Sequence, residues 1–241
     1  ASAPGYGALA IADLMSGSGY YTRMTSDISN GRKLSRLLGK SFKKRAFLWM
    51  QGEGDGGNTN YAANMETLRG QIDAMVKGIT FQTEDVFMLS YQLARAQIGL
   101  EQLEASDTYS KIRVAMPMYH LPTTDTVHLT AASSKIAGAY FGLAYKAIVL
   151  DGNTSWQPLK CTANSVASTV IDLTYNPVGA LTLDTTIVAP QTNSGFRLVD
   201  SGGSPLTISS VALLNSTTVR ITAASPVPAG AKVYYGFADP T

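Results

Sequence analysis

Two short stretches hold the residue types that could do chemistry. The first is Asp125-Thr126-Val127-His128, which carries one of only two histidines in the chain. An aspartate three residues before a histidine on a turn can set its carboxylate against the imidazole Nδ1–H. That contact fixes the tautomer and stabilises the imidazolium formed when the other nitrogen takes a proton from a nucleophile. The same residues also fit a plain helix start, with Thr130 as the cap and both side chains solvated. The second stretch is Leu48-Trp49-Met50-Gln51-Gly52-Glu53-Gly54-Asp55. An apolar run, Ala46 to Met50, stops there at an amide, two carboxylates and two glycines. Ligands of open α/β sheets collect outside the carboxyl ends of strands, so the loop is a candidate site; the alternative is a Gly-rich surface turn. His120, with no carboxylate near it in sequence, is expected on a loop surface.

The elements that must position these residues can be read from spacing. Residues 8–15 form a short apolar run stopped by Ser16-Gly17-Ser18-Gly19 and fit either a short helix or a buried strand. From Asn30 to Lys44, Leu34, Leu37 and Leu38 at helical spacing among basic residues predict an amphipathic helix with a solvated basic face. The run 46–50 reads as a strand. Ala62, Met65, Leu68, Ile72, Met75 and Val76 give a second helix over Tyr61–Lys77, with Gly78 as its stop. Residues 85–91 read as a strand, 100–109 as a helix, and 112–118 as a strand shortened or bent by Pro117. Thr130 to Val149 is Ala-rich with apolar positions all around, which predicts a long helix packed on the sheet. Alternation of this kind is the signature of a mostly parallel α/β sheet.

Past Asp151 helical spacing disappears. Short runs rich in Val, Ile and Thr follow at 168–173, 185–188, 195–199, 208–213, 218–222 and 232–235, separated by turn clusters, which predicts a small antiparallel β-sandwich over 151–241. Charged residues make up 15% of the 241 and the formal net charge is +2, so neither nucleic acid nor an anionic membrane is an expected partner. The single cysteine, Cys161, leaves the compartment open.

Together, Trp49-x-Gln51-Gly52-Glu53-x-Asp55 and Asp125-x-x-His128-Leu129-Thr130 resemble the SGNH hydrolase superfamily, in its sialate O-acetylesterase and acetylxylan-esterase-like branch. The resemblance covers about residues 6 to 150. It implies a flavodoxin-like three-layer α/β/α domain with a parallel sheet over 1–150, followed by an appended β-sandwich. It also implies ester hydrolysis by a serine, with His128 as general base and Asp125 orienting it. Gln51 and Gly17 match the oxyanion-stabilising amide and glycine, which makes residues 8–15 the preceding strand. Trp49, Gly52, Glu53 and Asp55 would then brace the site loop. No metal or cofactor is implied.

The family's Gly-Asp-Ser or Gly-Gln-Ser-Asn element is absent. Ser29, in Asp27-Ile28-Ser29-Asn30, follows the glycine element instead of preceding it, and Ser16 and Ser18 do not form Gly-x-Ser-x-Gly. The expectation is therefore that an N-terminal segment or second chain supplies both a strand beside residues 8–15 and the serine. The expected partner is an acetylated glycan. Two other classes remain open: a glycan-binding module that lost the nucleophile, and a receptor-binding segment of a virion fibre, which the low charge and the polar C-terminal third accommodate. An extracellular or virion-associated location goes with these readings.

Overall fold

The apolar runs at 46–50, 85–91 and 112–118 become three parallel strands, β1 (Ala46–Trp49), β2 (Phe87–Gln92) and β3 (Ile112–Pro117), in the order β1-β2-β3. The structure is a computed structural model that describes residues 6–236 apart from 95, 126, 187 and 188. Four helices accompany the sheet: α1 (Gly19–Leu37), α2 (Tyr61–Thr80), α3 (Ala96–Thr108) and α4 (Ala131–Tyr145), the last extended by a π-helical turn over Lys146–Leu150. α2 buries Tyr61, Ala62, Met65, Leu68, Ile72 and Val76, much as its spacing predicts. It runs through Gly78 and stops at Phe81, whose φ of 61° is left-handed. α3 packs on α2, β2 and β3, and α4 packs on β3 and β2. Each strand-helix-strand connection is of the parallel crossover type, which lays α2 and α3 on one face and leaves the other to α4.

Two expected elements are different. Residues 8–15 are not a strand; they contain a 3₁₀ turn over Ile11–Leu14. Local partners satisfy the backbone groups that a strand would give to a neighbour. Asp13 accepts from the Ala10 N–H (3.1 Å), Asp55 Oδ2 accepts from the Ile11 N–H (2.7 Å), and Gln51 Nε2 donates to the Leu9 carbonyl (2.8 Å). The helix expected over 30–44 starts and ends earlier, at 19–37, because Ser18 caps it by accepting from the Tyr21 N–H. Its one buried residue is Ile28, while Leu34, Leu37 and Leu38 are 62%, 83% and 73% exposed.

The chain divides into two compact units, at Gln157/Pro158 rather than at residue 150. Residues 151–157 stay with the first unit because Arg113 donates to the Thr154 carbonyl and Trp156 packs on its core. The second unit is antiparallel. One sheet has the order β4-β5-β9-β8, from β4 (Cys161–Ala167), β5 (Val170–Tyr175), β8 (Ile208–Leu213) and β9 (Thr218–Ala223). The other is β10-β6-β7, from β6 (Phe196–Val199), β7 (Pro205–Leu206) and β10 (Lys232–Tyr235). Ile171, Leu173 and Ile221 of the first meet Phe196 and Leu198 of the second in one apolar cluster. β4 escaped the sequence reading because its residues are mostly exposed and polar; it is held by pairing to β5 alone. Of the strand expected at 185–188, Thr185 and Thr186 are non-strand and the other two positions lie outside the described residues.

Candidate active site

The loop after β1 is held by a buried hydrogen-bond network. The Trp49 indole N–H donates to Tyr61 Oη (3.0 Å), which gives the buried indole its partner. The Tyr61 hydroxyl in turn lies 2.8 Å from the Gln51 carbonyl and 2.6 Å from Gln51 Oε1, with one hydrogen to share between them. Gln102 Nε2 donates to the Gln51 carbonyl at 2.9 Å, and its Oε1 accepts from the Leu93 N–H at 2.8 Å. Gln51 Nε2 donates to the Leu9 carbonyl (2.8 Å) and to Asp55 Oδ2 (2.5 Å), and Asn58 donates to Asp55 Oδ1 (3.0 Å). Gln51, Asp55 and Gln102 are all buried, so an unmatched group here would be costly. Burial pushes the Tyr61 phenol well above its ordinary value, so it stays a neutral donor.

Backbone geometry makes the loop possible. Gly52 has φ +146°, and a Cβ there would sit 2.7 Å from both Ile98 Cγ2 and Leu93 Cδ1. Glu53 follows it on the surface and accepts from the Tyr91 hydroxyl (2.9 Å) at the end of β2. Burial first, and the Glu53 charge second, raise the Tyr91 phenol.

The loop after β3 is tight in a different way. A bridge between Thr123 and Leu129 closes it, and the Thr124 N–H donates to the His128 carbonyl (2.7 Å). Asp125 uses both oxygens: Oδ1 accepts from the Val127 and His128 N–H groups (2.6 and 2.7 Å), and Oδ2 meets His128 Nδ1 at 2.8 Å. The carboxylate thus fixes both the turn and the imidazole. Its hydrogen bonds to His128 and the backbone hold Asp125 well below the usual carboxylate range. In return the Asp125 hydrogen bond and charge raise His128, with a smaller push from Glu53. The His128 side chain is 77% exposed, and Nε2 has no hydrogen-bond partner among the described residues. Thr130 does cap α4, accepting from the Ser133 N–H, so capping and the Asp–His contact coexist.

Because the strands are parallel, the loops after β1 and β3 leave the same end of the sheet, and the influence of Glu53 on His128 links them. The fold therefore gathers Trp49, Gln51, Gly52 and Asp55 in one network, with the Glu53 carboxylate beside it accepting from the Tyr91 hydroxyl. Gly17 lies apart from both networks in its hydrogen bonding; it has φ +98° in the turn before α1, beside Ser16, whose N–H donates to Gln71 Oε1. Of the serines weighed as nucleophiles, Ser18 is occupied as the α1 cap and Ser29 sits in the middle of α1. Tyr61, Tyr91 and Gln102 were not anticipated. Trp49 gave the one available hint, since a buried indole needs an acceptor and Tyr61 opens the next helix.

No protein-family model matches the chain, and no curated protein sequence does. In three dimensions it is similar to the crystal structure of a carbohydrate acetylesterase from Xanthomonas citri, with a TM-score of 0.59 and 18% sequence identity. The match covers 79% of this chain and 44% of that one, so the chain spans less than half the length of that enzyme. The likeness shows a carbohydrate-esterase-like fold.

Proposed function

We propose that the chain is part of a serine esterase that removes O-acetyl groups from carbohydrate, on an SGNH-type domain with an appended β-sandwich. One observation carries this reading: an exposed histidine whose Nδ1 is engaged by a carboxylate at 2.8 Å and whose Nε2 faces solvent at the carboxyl end of a parallel sheet. That is the state of a general base waiting for a hydroxyl. The fold likeness to a carbohydrate acetylesterase supports the substrate class. In this reading the attacking group is a serine hydroxyl; no serine hydroxyl is hydrogen-bonded to His128 among the described residues.

In the mechanism, His128 takes the serine proton as the hydroxyl attacks the acetyl carbonyl. Asp125 holds the imidazolium that results, and the tetrahedral oxyanion is met by donors of the β1 loop. Gln51 is the side-chain donor in this scheme. Its amide reaches the oxyanion by exchanging the Leu9 carbonyl for it, since both N–H groups are engaged in the resting loop. A second reading, a glycan-binding module without turnover, is favoured by the absence of any serine hydroxyl bonded to His128 among the described residues. Turnover of p-nitrophenyl acetate by the parent polypeptide decides between them. The esterase reading expects His128→Ala to lower kcat by about 10³-fold or more, whereas no turnover with retained glycan binding supports the second reading.

A further inference from the structure

We propose that the cleft between the last turns of α1 and α2 binds an acidic monosaccharide unit of a polysaccharide through its carboxylate, at the end of the sheet opposite His128. Ser29, Arg32, Lys33 and Arg36 of α1 line it with Gly78 and Ile79 of α2, around a volume of about 280 Å³. α1 leads into the start of β1 and α2 into the start of β2, and parallel strands start at one end of their sheet. The loops after β1 and β3 leave the other end. Only the choice of a glycan as occupant rests on the esterase reading.

Charge selects an anion. No carboxylate lines the cleft, and Arg32, Lys33 and Arg36 have no ion pair or side-chain hydrogen bond among the described residues. The two helix ends offset only part of this charge, since each carries about half a negative charge against three full positive ones. The connection from α1 to β1 adds Lys40, Lys44 and Arg45. The acids of the connection from α2 to β2, Glu84 and Asp85, are already held by Lys43, Lys77 and Lys111. A formal net charge of +2 therefore conceals a basic patch. Ser29, Arg32 and Arg36 share one helix face by their spacing, and a guanidinium fork matches a carboxylate in two parallel hydrogen bonds.

Shape and a neighbouring ring select a sugar. The Arg32 guanidinium lies 4.6 Å from the centre of the Phe81 ring, and Phe81 is nonetheless 74% exposed. Phe81 also holds φ +61°, a conformation that glycine usually takes at helix ends and that a bulky residue adopts at a cost. The chain thus keeps a bare aromatic ring, on a strained backbone, beside unpaired cations. The C–H face of a pyranose can stack on that ring while its carboxylate meets the guanidinium groups. The cleft falls just below the roughly 300–1,000 Å³ of pockets for larger small molecules, which suits one sugar unit. One ring offers no succession of stacking platforms of the kind single-stranded nucleic acid uses.

The test is NMR titration of the 241-residue chain at low salt with a galacturonic acid hexamer. Two further probes are its methyl ester, which lacks the charges, and a thymidylate hexamer, which carries charge on a different backbone. The acidic hexamer is expected to shift the amides of Arg32, Lys33, Gly78 and Ile79, with both other probes binding about tenfold more weakly or worse. Arg32→Gln and Arg36→Gln should each weaken hexamer binding about tenfold. Phe81→Gly relieves the left-handed strain, so it should weaken binding while thermal stability is kept or raised. That split separates a binding role from a structural one. Equal binding of the methyl ester or of the thymidylate hexamer overturns the proposal, as does unchanged affinity in the arginine variants or in Phe81→Gly. Hexamer binding without esterase turnover upholds the site while the esterase reading fails. Turnover without hexamer binding does the reverse.

Discussion

His128 is exposed and owes its raised pKa to Asp125 first and Glu53 second. On the proposed esterase reading His128 is a general base that works only when neutral, so the acid limb of kcat/KM is expected above the ordinary histidine value of about 6.5. Asp125→Asn removes the largest cause, so the limb should move down in pH while kcat falls by about 10²–10⁴-fold; a pH–rate profile checks both. Removal of Glu53 by Glu53→Gln should move the limb in the same direction by less. Of this chemistry the Asp–His pair was legible in sequence, because a three-residue separation on a turn is a local arrangement. The part played by Glu53 was not, since it depends on two loops that are distant in sequence leaving the same end of a sheet.

At the scale of elements, the β1 loop owes its shape to partners on α2, α3 and the N-terminal turn. Tyr61→Phe strands the Trp49 N–H and frees Gln51, so a loss of about 1–3 kcal/mol in chemical denaturation is expected, together with lower kcat. Gly54 tests the contact with the N-terminal turn: a Cβ there meets the Leu9 carbonyl at 2.7 Å. Gly54→Ala should therefore speed amide exchange at Ile11 and spare β2. Strands β1 to β3 and helix α2 were readable because burial and periodicity agree in them. Residues 8–15 were misread because an apolar run does not disclose that Asp13, Gln51 and Asp55 will take its backbone groups. α1 was displaced because its leucines, which give the cleanest helical spacing, remain uncovered while Ser18 sets the start.

Across the whole molecule, two units with separate apolar cores share one chain. Ile221 is fully buried in the second core. Ile221→Ala should cost that unit about 2–5 kcal/mol, lowering its transition in calorimetry and leaving the acid limb set by His128 unchanged. The change of texture near residue 150 was visible in composition, whereas the added stretch up to Gln157 was not, because Trp156 and the Arg113–Thr154 contact bind it by tertiary packing. That β1 ends the sheet among the described residues was equally invisible, as alternation of apolar residues says nothing about how many neighbours a strand has. The central claim is that this fold carries the base of a carbohydrate O-acetylesterase. Proton NMR of an O-acetylated polysaccharide incubated with the parent polypeptide tests it most directly: free acetate should accumulate with the glycan backbone intact and should cease with His128→Ala, whereas no acetate, or equal release by the variant, would contradict the account.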